Sequence, residues 1–80
     1  NYKRWWNNLS VTEKKIIVGI TLEGVKPTSN EFIKKYGIKS ASTSGSAVKK
    51  LFDSGTLVKE NDQIKVEDPF WNEWILQNRE

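Results

Sequence analysis

The sequence predicts a small α+β domain, mostly helical, in which a run of helices is followed by a two-stranded hairpin and a closing helix. Three observations predict it. Apolar residues recur at helical spacing behind the capping signatures Ser10-x-x-Glu13 and Thr28-x-x-Glu31. Two short extended segments flank Asn61-Asp62, and Asp68-Pro69 opens a final aromatic stripe.

Each element follows from local chemistry. Tyr2, Trp5, Trp6 and Leu9 fall at i, i+3, i+4 and i+7, one stripe of a short helix expected near 2–8. Ser10 and Glu13 then start a second helix over about 11–23, with Ile16, Ile17 and Ile20 inward and Lys14, Lys15 and Glu23 solvated; Gly24 stands at its C-terminal cap position. Val25-Lys26-Pro27 is a connector, and Thr28 with Glu31 opens a third helix near 29–36, closed by Gly37. Lys39 to Ser42 supplies a turn and N-cap candidates for a fourth helix over 42–54, which Gly55 ends.

At 100° per residue, Ser44, Val48, Leu51 and Phe52 gather on the inward face of that helix. Thr43, Ser46 and Lys50 point outward, flanked by Ser42 and Lys49. The strands are expected at about 57–60 and 63–67, because Asn61 and Asp62 tolerate the positive φ of a two-residue hairpin turn. A fifth helix over 69–78 puts Phe70, Trp71, Trp74, Ile75 and Asn78 inward. Helix, turn, helix and hairpin in this order predict a winged helix-turn-helix whose recognition helix is 42–54.

Composition narrows the function. Eighty residues bury a limited core, which disfavours an enzyme with a deep pocket or a small-molecule substrate. Cysteine and histidine are both absent, so disulfides, thiolate nucleophiles, imidazole bases and the usual zinc ligands are all excluded. The acid pairs Glu60 with Asp62 and Glu67 with Asp68 have no motif spacing, and turn, solvation and capping roles account for them. No catalytic residue and no metal ligand is assigned. The richest apolar stretch, residues 16–22, is interrupted by Gly19 and Thr21, so no membrane span is expected and a cytoplasmic setting is the default. The chain opens mid-pattern at Asn1, as expected of a segment cut from a longer protein.

Charge is uneven along the chain. Residues 1–59 carry eleven Lys/Arg against four Asp/Glu, a balance of +7, whereas residues 60–80 carry two against six, a balance of −4. A basic body attracts phosphate backbones and an acidic tail repels them.

Three stretches carry a family resemblance: Ser10 to Gly24; Gly37-Ile38-Lys39 through Lys49-Lys50-Leu51-Phe52-Asp53-Ser54-Gly55-Thr56-Leu57-Val58; and Val66-Glu67-Asp68-Pro69-Phe70-Trp71-Asn72-Glu73-Trp74-Ile75. Together they resemble the C-terminal winged-helix domain of archaeal-type AAA/STAND P-loop ATPases over nearly the whole chain. The Leu51 to Leu57 pattern is common to many winged helices, while the Asp-Pro-Phe-x-x-x-Trp ending is narrower. The resemblance implies an upstream ATPase domain in the same chain. ATP and Mg belong there, since no G-x-x-x-x-G-K-[ST] run occurs here. It also implies three parts: residues 1–9 as a link from the upstream region, 10–67 as the winged helix, and 68–80 as a C-terminal helix packed on the same domain.

Three functions are compatible with these features. The first is DNA binding, mainly to phosphates, through Ser42, Thr43, Ser46, Lys49 and Lys50, with Lys59 and Lys65 adding backbone contacts from the strands. No Arg, Asn or Gln stands on the recognition stripe, which argues against strong base readout, and the acidic tip Glu60-Asn61-Asp62-Gln63 opposes phosphate. A solvated helix face is the plain alternative. The second is docking on the ATPase core or on a partner protein through Trp5, Trp6, Trp71 and Trp74, whose plain alternative is that the two terminal helices pack on each other. The third is homodimerisation through the same aromatic ends.

Overall fold

The computed structural model describes residues 2–23 and 29–78. Its elements run α1 (Tyr2–Asn8), α2 (Val11–Glu23), α3 (Asn30–Tyr36), α4 (Ala41–Asp53), β1 (Leu57–Glu60), β2 (Gln63–Val66) and α5 (Pro69–Asn78). The expected Gly24 cap, the 25–27 connector and the capping role of Thr28 lie outside the described residues.

Local capping chemistry sets the helix ends. Ser10 N–H donates to Glu13 Oε1 at 2.8 Å and Glu13 N–H donates to Ser10 Oγ at 3.2 Å, a complete reciprocal box at the start of α2. At α3 the cap is Ser29, whose Oγ accepts from Phe32 N–H at 3.2 Å. The helix therefore starts one residue later than expected, with Glu31 inside its first turn. Ser40 caps α4 by accepting from Thr43 N–H at 3.1 Å, which moves that helix to 41–53. Both α3 and α4 end in a Schellman turn: Ile38 N–H reaches Ile33 O and Thr56 N–H reaches Leu51 O, with Gly37 at φ 66° and Gly55 at φ 81°. That conformation is strained for any residue with a Cβ.

The core lies where α2, α4 and the hairpin meet. Ile16, Ile17 and Ile20 of α2 bury completely or nearly so, and Phe32, Ile38, Ala47, Leu51, Leu57, Val66 and Ile75 close around them. Each large aliphatic or aromatic side chain buried this way contributes about 1.5–3 kcal/mol of transfer free energy. The inward face of α4 is centred on Ser44, Ala47 and Leu51, not on Val48; Val48 and Phe52 are half-buried beside it. Gly19 permits the close approach of α2 to α3, because a Cβ there would run into the Phe32 ring and come within 3.1 Å of Tyr36 Cε2.

The hairpin register is Leu57 with Val66, Val58 with Lys65, Lys59 with Ile64 and Glu60 with Gln63. Asn61 at φ 53° and Asp62 at φ 65° both adopt the left-handed conformation of a type I′ turn, whose twist matches that of the strands. Strand assignment stops at Val66, although Glu67 N–H still donates to Thr56 O at 2.9 Å.

Asp68 Oδ1 accepts from Phe70 N–H at 2.9 Å and caps α5, with Pro69 in the first turn. The inner side of α5 is Trp71, Trp74 and Ile75. Phe70 and Asn78, expected inward, both face solvent, Phe70 with 70% of its surface exposed. The two terminal helices meet through their rings: Trp5 lies 3.7 Å and Tyr2 3.9 Å from Trp71, centroid to centroid, and Trp6 lies 6.0 Å from Trp74.

Candidate nucleic-acid interface

Four serines in or beside the first turns of α4 divide into two pairs. Ser40 caps the helix and shares a 3.0 Å hydrogen bond with Thr43 Oγ1, and Ser44 is fully buried in the core. Ser42 and Ser46 are exposed, and their hydroxyls make no hydrogen bond among the described residues. Their hydroxyls are therefore available to an outside partner. Lys49 and Lys50 are exposed on the same side of the helix.

The outward stripe differs from the expected one in its edge. Thr43 is half-buried and tied to Ser40, so it flanks the stripe, which runs through Ser42, Ser46 and Lys49. Lys50 and Thr43 border an open cleft of about 370 Å³ between α4 and the first turn of α2, which also contains Ser10, Thr12 and Glu13. Two carboxylates thus bound the surface: Glu13 across the cleft and exposed Asp53 at the end of the stripe. Neither belongs to the expected set. Asp53 was within reach of periodicity, four residues beyond Lys49; Glu13 enters only through the packing of α2 on α4.

The hairpin does not bring its two lysines together. Side chains alternate across a strand, so the register places Lys59 on the face of Leu57, Ile64 and Val66, and Lys65 on the opposite face with Val58, Glu60 and Gln63. Lys65 Nζ donates to Glu60 Oε1 at 3.2 Å, a diagonal cross-strand ion pair that occupies the cation. Lys59 is exposed and has no ion pair among the described residues.

The four tryptophans are half-buried and in contact with one another across α1 and α5. Tyr2 Oη donates to Asp68 Oδ2 at 2.9 Å, and this hydrogen bond, followed by desolvation and the Asp68 charge, raises the phenol above its ordinary pKa. Lys14 Nζ lies 5.7 Å from the centroid of the Trp6 ring. No helix among the described residues is long and apolar enough to cross a membrane.

A helix-turn-helix over α3 and α4, supported by α2 and followed by a β1–β2 wing, defines a winged-helix module, a class of DNA-binding and regulatory domains. The family described as "Probable winged helix domain" matches residues 1–77, and the chain belongs to it. No curated protein and no solved structure matches the chain significantly.

Proposed function

We propose that this domain binds DNA chiefly through phosphates, by the exposed face of α4. The observation that carries this reading is the pairing of unengaged Ser42 and Ser46 hydroxyls with exposed Lys49 and Lys50 on one helical stripe. Hydroxyls and ammonium groups suit phosphate oxygens, whereas base reading favours Arg, Asn or Gln, which the stripe lacks. Thr43 supports the rim of this surface. Of the wing cations, Lys59 is the one able to add a contact without first breaking an ion pair. A gel shift with duplex DNA at low and raised salt tests the reading: the wild type binds at low salt, and Lys49→Glu with Lys50→Glu abolishes the shift.

The same sequence resemblance supports a wider proposal about the parent protein. Residues 1–9 serve as the link from an upstream region, 10–67 as the winged helix and 68–80 as its packed C-terminal helix, in a cytoplasmic ATPase whose ATP and Mg belong to the upstream domain. On this reading the module itself performs no catalysis. A second function, docking on that ATPase core or on a partner, is favoured by one observation: Phe70 stands exposed at the start of α5 beside half-buried Trp74, one turn away. Crosslinking from position 70 in the full-length protein distinguishes the two, since docking predicts a product and DNA binding alone does not.

A further inference from the structure

The turn that joins α3 to α4 carries two ammonium groups with no carboxylate paired to them among the described residues. Lys15 Nζ, from α2, donates to Gly37 O at 3.1 Å and so stands at the residue that closes α3. A carbonyl acceptor bears no net charge, so this ammonium keeps its own, unlike that of Lys65, whose acceptor is the Glu60 carboxylate. Two residues after Gly37, Lys39 is exposed and has no ion pair among the described residues. The nearby acids stand elsewhere: Glu31 lies in the first turn of α3, at that helix's other end, and Glu13 accepts from Ser10 N–H beside the α2–α4 cleft.

The fold accounts for one of these cations and not for the other. Lys15 suits its place, because an ammonium at a helix C-terminus interacts favourably with the last carbonyls. Lys39 is placed the other way. It immediately precedes Ser40, the N-cap of α4, where the helix dipole presents its positive end and disfavours a further positive charge. A bound anion would reverse that sign. The position is also continuous with the α4 face, since Lys39 is three residues from Ser42, and Ser42 lies about 12 Å along the helix from Lys50.

We propose that Lys39 contacts a DNA phosphate, beside the Lys15 ammonium, so that the phosphate-binding surface runs from Lys49 and Lys50 past Ser46 and Ser42 into the α3–α4 turn. The inference rests on the α4 reading and adds to it a contact at the opposite end of the stripe. An ammonium is a compact point charge with three donors, which suits a phosphate oxygen better than bidentate reading of a base. On this account Lys39 serves binding at a small cost to the stability of α4.

The test is a titration of a labelled duplex with the intact chain, read by fluorescence anisotropy at several salt concentrations and paired with urea unfolding of each variant. Lys39→Gln should weaken binding on every sequence and make the fall of log affinity with log salt shallower by about one. Its unfolding midpoint should match or exceed that of the wild type, since the cation opposes the α4 dipole. Lys39→Arg should keep the wild-type slope. Lys3→Gln, which removes the same charge from an exposed position on α1, should keep it too. A slope unchanged by Lys39→Gln, while Lys49→Ala with Lys50→Ala still makes it shallower, overturns the inference and leaves the α4 reading standing. Equal losses in Lys39→Gln and Lys3→Gln also overturn it, by showing a diffuse effect of net charge. So does a loss accompanied by a lowered unfolding midpoint, which shows a structural role. A wild type that does not bind duplex at low salt overturns both the inference and the reading beneath it.

Discussion

Lys65 Nζ stands 3.2 Å from Glu60 Oε1, diagonally across the hairpin, so the wing spends one of its two cations on its own acid. The pair is largely exposed, and its contribution to stability is at most about 1 kcal/mol. Its consequence is electrostatic. Glu60→Gln should release Lys65, tighten binding to duplex DNA at low salt and steepen the salt dependence by about one unit of slope, as one more phosphate contact requires. Lys65→Ala should change the affinity little. Anisotropy titrations of a labelled duplex at several salt concentrations check both expectations.

Gly19 offers a test of packing in which two effects oppose each other. Alanine in place of a mid-helix glycine favours the helix by about 1 kcal/mol. Here the added Cβ would meet the buried Phe32 ring, and overpacking of this kind costs about 1–3 kcal/mol. The ring has little room to retreat, because it stacks on Tyr36 at 4.7 Å. Gly19→Ala should therefore lower the midpoint of urea unfolding, with an unchanged slope. An unchanged or higher midpoint would show that α2 and α3 are not closely crossed at this point.

Asp68 joins two ends of the chain through one carboxylate. Removing it by Asp68→Ala leaves Phe70 N–H and the Tyr2 hydroxyl without their acceptors, a loss of about 1–3 kcal/mol. Asp68→Asn should retain most of that stability, because an amide oxygen also caps a helix. Thermal unfolding of the two variants separates the capping role from a requirement for charge.

The Tyr2 phenol gives a pH dependence of known sign. Its pKa is raised by the hydrogen bond to Asp68, so its contribution to stability is fully present below the ordinary phenol pKa and is lost as pH rises through the raised value. Absorbance titration should show Tyr2 ionising above the usual tyrosine range, and Tyr2→Phe should remove that component.

Much of this fold is written in contacts between near neighbours. Ser10 with Glu13, Gly37, Asn61-Asp62 and Asp68-Pro69 each satisfy backbone groups within a few residues, so their elements can be read from the chain directly. Ambiguity entered where adjacent residues compete: Thr28 and Ser29 both suit an N-cap, and Ser29 is the one that accepts from Phe32. Phe70 is a case of a misplaced stripe. It stands roughly 140° around the helix from Ile75, and Ile75 sets the direction of the core. The α4 surface was legible as a helical face with Ser46, Lys49 and Lys50 on it. The presence of Glu13 across the cleft was not, because it depends on how α2 packs against α4.

The most direct test of the α4 assignment is the salt dependence of duplex binding for the wild type and for Lys49→Ala with Lys50→Ala. If both lysines contact phosphates, the double variant binds more weakly on every sequence and its log affinity falls against log salt with a slope shallower by about two. A wild type that fails to bind at low salt, or a double variant with the same affinity and slope, would contradict the assignment.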